Sequence, residues 1–146
     1  MVRLAAAAGT AAGTHVFPVR VYYEDTDAGG VVYHANYLRF AERARTEMLR
    51  QAGIGQAALW AEQGLAFTVR RCEAEFLKPA RLDDALEVHT RVLEARGARV
   101  EAEQVVKRAG DEIARLRLEI ACVDRQGKPA RLPRTLSDAF SASPNS

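Results

Sequence analysis

The sequence predicts an α+β domain in which one long helix lies against a single antiparallel sheet. Three observations predict it. Residues 37–52 repeat apolar side chains with a period near that of an α-helix: Tyr37, Phe40, Ala41, Ala44, Met48 and Ala52 share one arc, while Arg39, Glu42, Arg43, Thr46 and Arg50 lie opposite. From Ala66 onward the apolar period shortens to two, the spacing of strands with one buried face. Glycine-bearing turns at Arg96-Gly97 and Ala109-Gly110-Asp111 then divide that half of the chain into consecutive hairpins.

In chain order, residues 15–23 read as a first strand, with Val19, Val21 and Tyr23 alternating against Pro18, Arg20 and Tyr22. Pro18 lacks an N–H for a ladder and marks this strand as an edge or an irregular start. The long helix follows over 37–52, with Asn36 as its N-cap and Gly53 as its terminator. Arg45 falls at the margin of the apolar arc, placed to snorkel, to meet a buried carboxylate, or to reach a partner subunit. A short helix spans 56–63 and ends at Gly64. Four strands come next, over 66–77, 85–95, 98–108 and 112–124, and a last short helix begins at Pro133 and runs to residue 140. One helix covers one face of five strands only if the sheet curls around it. The edges left open then predict edge-to-edge pairing into a homodimer, with dimers pairing further into a homotetramer.

With 146 residues this is one domain over 15–140, flanked by a disordered extension over 1–14 and a disordered tail over 141–146. The net charge of +2, with both signs interspersed, gives no concentrated basic face and argues against a nucleic-acid partner. No apolar run approaches the roughly 20 residues of a membrane span, and the Ala-rich start is too broken by Gly and Thr for a signal peptide, so a cytoplasmic protein is expected. Cys72 and Cys122 belong to no CxxC or Cys/His cluster and read as buried, reduced thiols; the three histidines lack ligand spacing, so no metal site is expected.

The chemistry concentrates in EDTDAGGVVYHANY, from Glu24 to Tyr37, which holds three carboxylates, two adjacent glycines and one histidine immediately before the long helix. Acidic groups beside a Gly-rich turn that feeds a helix N-terminus combine a nucleophile or base with backbone N–H groups able to hold an oxyanion. Spacing alone leaves the alternatives open. From spacing, Asp27 reads first as a turn-forming Asp before a glycine pair. His34 reads as a turn-to-helix histidine, and Tyr33 and Asn36 serve packing or capping as readily as a pocket. Gly29-Gly30 supplies positive φ or a close approach. Asp25 is assigned to ordering the turn, and Glu24 to a structural or solvent-facing place. Lys78 and Arg81, in LKPARLDD, either contact phosphates or simply balance Asp83 and Asp84 in a solvated loop.

The stretch YYEDTDAGGVVYHANYLRFAERARTEML, with the later EFLKPARLDDALEV, resembles the hotdog-fold acyl-CoA thioesterases. The similarity is to their 4-hydroxybenzoyl-CoA thioesterase branch, closest to the bacterial thioesterases associated with the Tol-Pal system (the YbgC group). It covers residues 15–140 and rests on D-x-D-x-x-G-x-V-x(3)-N-Y between a strand and a long helix. The resemblance implies a hotdog fold, one long helix wrapped by a five-stranded antiparallel sheet. It also implies hydrolysis of short- or medium-chain or aromatic acyl-CoA to free acid and CoA, with no metal or redox cofactor. Asp27 matches the family's catalytic carboxylate, and His34 the position whose backbone N–H polarises the thioester carbonyl. Gly30, Tyr33 and Asn36 fall to the acyl site, Lys78 and Arg81 to CoA. Family members often carry Pro before the motif's Asn, whereas this chain has Ala35. Two rivals remain: a non-catalytic module binding acyl-CoA or acyl carrier protein for cell-envelope or lipid-synthesis partners, and a hydratase or dehydratase of the same fold, for which His34 and Asp27 stand in the wrong order.

Overall fold

The computed structural model describes residues 10–11 and 13–141. Most of the extension expected over 1–14, and all but the first residue of the tail expected over 141–146, lie outside the described residues. Within them the order is β1 (Thr10–Ala11), β2 (Thr14–Arg20), a 3-10 turn (Tyr23–Asp25), α1 (His34–Gln51), α2 (Gln56–Gln63), β3 (Ala66–Phe76), β4 (Ala85–Arg96), β5 (Arg99–Arg108), β6 (Asp111–Val123) and α3 (Arg134–Ser141). The sheet order is β1-β2-β4-β5-β6-β3, antiparallel throughout, so the five expected strands are joined by the two-residue β1.

Each strand begins and ends within a few residues of its sequence expectation because the turns leave little choice. Gly97 and Gly110 sit at φ 63° and 85°, where a side chain is disfavoured, and they close β4–β5 and β5–β6. Pro18 lies beyond the short β1 pairing, on the stretch of β2 that has only β4 as a neighbour. Register shifts at Val69/Arg71, Val92/Glu94 and Val106/Lys107 break the ladders of β3, β4 and β5. Such bulges add twist, which is how one sheet wraps one helix.

The core lies between the inner face of that sheet and α1. Phe40, Ala41 and Ala44 are fully buried against Leu86, Val88, Val106 and Leu116. The two alanines let the helix axis come close to the sheet, and Phe40 fills the gap, worth about 1.5–3 kcal/mol of burial. Two polar residues share this interior. Gln104 donates to the Ala41 carbonyl (2.9 Å) and to Thr90 Oγ1 (2.9 Å), and it accepts from Arg45 (2.9 Å). Arg45, expected to snorkel, to meet a buried carboxylate or to reach a partner subunit, meets a buried neutral amide instead. The thiols divide: Cys122 is buried, but Cys72 is exposed on β3, contrary to expectation, because α1 does not cover that edge strand.

His15, directly opposite Thr90 in the β2–β4 ladder, is only 1% exposed, and neither ring nitrogen has a hydrogen-bond partner among the described residues. Burial pushes its pKa below the usual value, partly opposed by the Glu47 carboxylate on α1. The unfolded chain therefore takes up a proton near pH 6.5 that the folded chain refuses, so stability must fall as pH drops through and below that value. The wild type is expected to lose thermal stability between pH 7.5 and 5.5, with a limiting slope from this site of about 1.4 kcal/mol per pH unit. His15→Leu should flatten that dependence in thermal melts; identical pH slopes in both proteins would show that His15 does not contribute.

Candidate active site

After β2 the chain passes through the 3-10 turn, and Asp25 turns inward to 4% exposure. Its carboxylate accepts from the Tyr22 N–H (2.8 Å) and from Asn36 Nδ2 (2.8 Å), and its carbonyl accepts from the Tyr33 N–H (3.0 Å). One buried acid thus binds the end of the strand to the first turn of α1, the ordering role assigned to it from sequence. Glu24 faces solvent. The helix starts earlier than periodicity indicates: Tyr33, at φ −64° and ψ 134°, is the N-cap and His34 the first helical residue. Asn36 is therefore not the cap. It is the third residue of the helix, buried, with its amide spent on Asp25.

Between these anchors the chain makes a tight loop. Thr26 and Val32 form an antiparallel bridge, and the Asp27 N–H donates to the Val31 carbonyl (2.9 Å). Gly30 returns its N–H to the Asp27 carbonyl (3.0 Å) at φ 80°, with open space where a Cβ would stand; glycine is needed there for the dihedral. At Gly29 the need is room, since a Cβ would meet Asp27 Oδ1 at 3.3 Å. That oxygen accepts from the Gly29 N–H (2.8 Å) and, more weakly, the Val31 N–H (3.4 Å). Asp27 is therefore both the turn-forming Asp of the bland reading and a carboxylate with Oδ2 uncommitted among the described residues. The side chain is exposed in the single chain.

The loop leads straight into the N-terminus of an 18-residue helix. The leading amides at His34 and Ala35 have no intrahelical partner and carry the partial positive charge of the helix end. The His34 ring is exposed, packed against Tyr33 (centroids 4.4 Å) and edge-on to Phe76 (5.9 Å). Tyr33, Phe76 and Leu77 leave about half their surfaces open around it.

The two cations expected at CoA stand differently. Lys78 is ion-paired with Asp111 at 2.7 Å. Arg81 is exposed, its backbone bridges Val31 beside the Asp27 loop, and its guanidinium makes no ion pair among the described residues. Asp84, offered from sequence as its counter-charge, pairs instead with Arg108 (2.8 Å). Burial alone would raise the Asp84 pKa, but the hydrogen bonds from the Arg81 N–H and Arg108, with the charges of both arginines, together hold it below the usual value. Trp60, on α2, lies under Arg125 (5.0 Å).

A cavity of about 280 Å³ opens beside the C-terminal half of α1. Phe67 lines it, with Arg45, Met48, Val69 and Leu136. Sequence reasoning missed this cavity, since no period or spacing announces a gap.

A long helix wrapped by a curled antiparallel sheet, with an acidic loop feeding the helix N-terminus, is the architecture of hotdog-fold thioesterases. The chain matches the model of the thioesterase-like superfamily over residues 21–140 and belongs to that superfamily. Over 125 residues it is 49% identical to the acyl-CoA thioesterase YbgC of Haemophilus influenzae, covering 85% of this chain and 92% of the relative. It is 48% identical over 126 residues to the acyl-CoA thioester hydrolase YbgC of Escherichia coli O157:H7, covering 85% and 93%. Among solved structures, a probable thioesterase from Bartonella henselae superposes with TM-score 0.78 at 42% identity, over 82% of this chain and 99% of that one. A 1,4-dihydroxy-2-naphthoyl-CoA thioesterase from Synechocystis shares the fold with TM-score 0.83 at 24% identity, over 89% and 97%.

Proposed function

We propose that this protein hydrolyses acyl-CoA thioesters, with Asp27 as the working carboxylate and the leading amides of α1, at His34, as oxyanion donors. The observation that carries the reading is the loop from Asp27 to Val32: it holds one carboxylate oxygen on backbone amides, leaves the other uncommitted, and ends on the open N-terminus of the long helix. A thioester carbonyl is poorly stabilised by sulfur, and thiolate is a fair leaving group, so one carboxylate and an oxyanion hole suffice. Asp27 either attacks the carbonyl carbon to form a mixed anhydride that water then opens, or takes a proton from the attacking water. In both routes the oxygen gains charge beside the helix end, where a lost donor typically costs about 2.7–4 kcal/mol. The exposed His34 ring is placed to return a proton to departing thiolate. Arg81 is the better candidate for a CoA phosphate, since Lys78 is already paired. The reaction so drawn calls on no cofactor, and a CoA substrate with reduced thiols fits a cytoplasmic setting.

The working unit in this reading is a homodimer, with two dimers pairing into a tetramer. β3 supports it: an 11-residue edge strand with one neighbour, β6, and side chains exposed on both faces along most of its length, Val69 and Phe76 among them. Antiparallel pairing of two β3 strands would cover that edge and bring a second chain over the exposed surroundings of His34. A monomeric mass by sedimentation at micromolar concentration would refute it. Acyl carrier protein presents the same thioester and is the second acyl donor to try. The test is a panel of acyl-CoAs, short to long and aromatic, and acyl carrier protein thioesters, read by release of free thiol. Turnover of acyl-CoA is expected; capture of carrier protein with no turnover of any member would replace hydrolysis with a binding role.

A further inference from the structure

Residues 77–84 join β3 to β4 without a helix or strand of their own, yet the core holds them at nearly every step. The Leu77 and Lys78 N–H groups both donate to the Ile113 carbonyl on β6 (2.8 and 3.1 Å). Arg108 Nη1, at the end of β5, donates to the Pro79 carbonyl (3.1 Å) and to Asp84 Oδ2 (2.8 Å). The same Asp84 oxygen accepts from the Arg81 N–H (2.8 Å). The hydroxyl of Tyr37, buried on α1, accepts from the N–H of the fully buried Ala80 (3.2 Å). The Asp83 N–H and the Asp84 carbonyl bond to Val21 (3.0 and 2.9 Å), and Asp83 is held at φ 71°, where a residue with a side chain is disfavoured. A surface connection can leave its backbone to water, whereas this one is fixed from β5, β6, α1 and the chain just after β2. What it carries is the Asp27 loop. The Val32 N–H donates to the Ala80 carbonyl (2.8 Å) and Val31 bridges Arg81, while on the other side Val31 accepts from Asp27 (2.9 Å) and Val32 bridges Thr26. Val31 and Val32 are thus the middle of a small ladder, with Thr26 and Asp27 on one side and Ala80 and Arg81 on the other.

We infer that residues 77–84 act as a splint that aims the Asp27 carboxylate at the leading amides of α1, with Arg108 and Tyr37 as its positioning residues. The inference rests on the thioesterase reading above. Asp25 and Asn36 fix the two ends of the Asp27 loop, but Gly29 and Gly30 at its tip offer the least resistance to swinging. The ladder to Ala80 and Arg81 opposes that swing. Neither positioning side chain has to touch substrate: the Tyr37 hydroxyl is spent on Ala80, and Arg108 Nη1 on Pro79 and Asp84. Both act through the backbone of Pro79, Ala80 and Arg81, which Val31 and Val32 lean on. Removing Arg108 frees the Pro79 carbonyl and leaves the Asp84 carboxylate bonded only to the Arg81 N–H among the described residues. Removing the Tyr37 hydroxyl strands the buried Ala80 N–H. Rate is steep in such geometry, since about 1 Å of misplacement can cost about 10²-fold.

The experiment measures kcat and KM for the wild type, Arg108→Met, Arg108→Lys and Tyr37→Phe, each with and without Asp27→Asn and each checked for folding by circular dichroism. The best acyl group of the panel is offered as its CoA and its pantetheine thioester. The second has the same reacting bond without the phosphates proposed for Arg81, which stands on the same segment. Arg108→Met and Tyr37→Phe are each expected to lower kcat by about tenfold or more on both substrates, with KM for the pantetheine thioester near wild type. Arg108→Lys should regain most of the rate, because both bonds leave from one nitrogen that an ammonium can replace. In the Asp27→Asn background the same changes should cost little further rate, since no carboxylate remains to aim. Wild-type kcat in every variant that folds, a loss confined to KM for the CoA substrate, or an equal loss on top of Asp27→Asn would overturn the splint and leave the thioesterase intact. Arg108 and Tyr37 stand on different elements, so one variant that does not fold leaves the other to decide. No hydrolysis of any acyl-CoA by the wild type would overturn the thioesterase reading itself.

Discussion

Asp27→Asn is expected to abolish nearly all acyl-CoA hydrolysis while leaving the fold as it is. The substitution keeps the side-chain oxygen that accepts from the Gly29 N–H, so the tight loop of Asp27 and Gly30 should close as before. It removes the charge that makes the second oxygen a nucleophile or a base. A positioned base typically contributes about 10²–10⁴ in rate, and a nucleophile that forms an acyl-enzyme at least as much, so a loss of about 10²-fold or more in kcat is the expected reading. The melting temperature should stay near wild type, because Asp27 is exposed and its side-chain hydrogen bonds among the described residues are to the loop backbone. Near wild-type turnover by folded Asp27→Asn across the whole panel would return Asp27 to a purely turn-forming role. Asp27→Ala separates the two roles further: it should lose both the activity and the loop hydrogen bond, and so lose some stability as well.

How much of this could be read beforehand depends on whether a feature is periodic or depends on the meeting of distant segments. The strands from Ala66 onward follow from alternation closed by glycine turns, and β6 places Ala114, Leu116, Leu118, Ile120 and Cys122 inside as its pattern indicates. The start of α1 was misplaced by three residues because its cap is not a Ser, Thr, Asp or Asn at the boundary. Asp25, eleven residues upstream of Asn36, bonds that side chain from across the turn, an arrangement that no local signal encodes. Gln104 and His15 did carry a signal: each sits on the inward phase of its strand, in Val100-Ala102-Gln104-Val106 and His15-Phe17-Val19-Val21. A polar residue in phase with apolar neighbours points to a buried network, although its partners on other elements stay hidden. The exposed Cys72 has the opposite cause. Its strand alternates like a covered one, but α1 packs mainly against β2 and β4 and leaves the middle of β3 exposed. The motif from Asp25 to Tyr37 gave the loop and the open helix end, whereas the cavity at Val69 and Leu136 arises only where side chains of six elements fail to meet.

Asp25→Ala is the change expected to cost the most stability at the site. Asp25 is 4% exposed, and its carboxylate is the acceptor for both the Tyr22 N–H and Asn36 Nδ2. Removing it leaves two donors without their partner, one of them the buried amide of Asn36. Each buried donor so stranded costs about 1–3 kcal/mol, giving about 3 kcal/mol together. For a domain of this size that corresponds to a fall in melting temperature of about 6–12 °C. The loss should be coupled to Asn36. In the double variant Asp25→Ala with Asn36→Leu the stranded amide is gone, so its cost should fall short of the sum of the single variants by about 1 kcal/mol or more. Activity should fall with the first substitution too, through the loop: Asp25 holds the strand end to the first turn of α1, and the Asp27 carboxylate is carried between those two points. That effect should appear mainly in kcat, since neither Lys78 nor Arg81, the cations offered for CoA, bonds to the Asp25 carboxylate among the described residues. A melting temperature within about 1 °C of wild type, or strict additivity of the two substitutions, would mean that the loop keeps its shape without Asp25 and that the glycine turn alone aims Asp27.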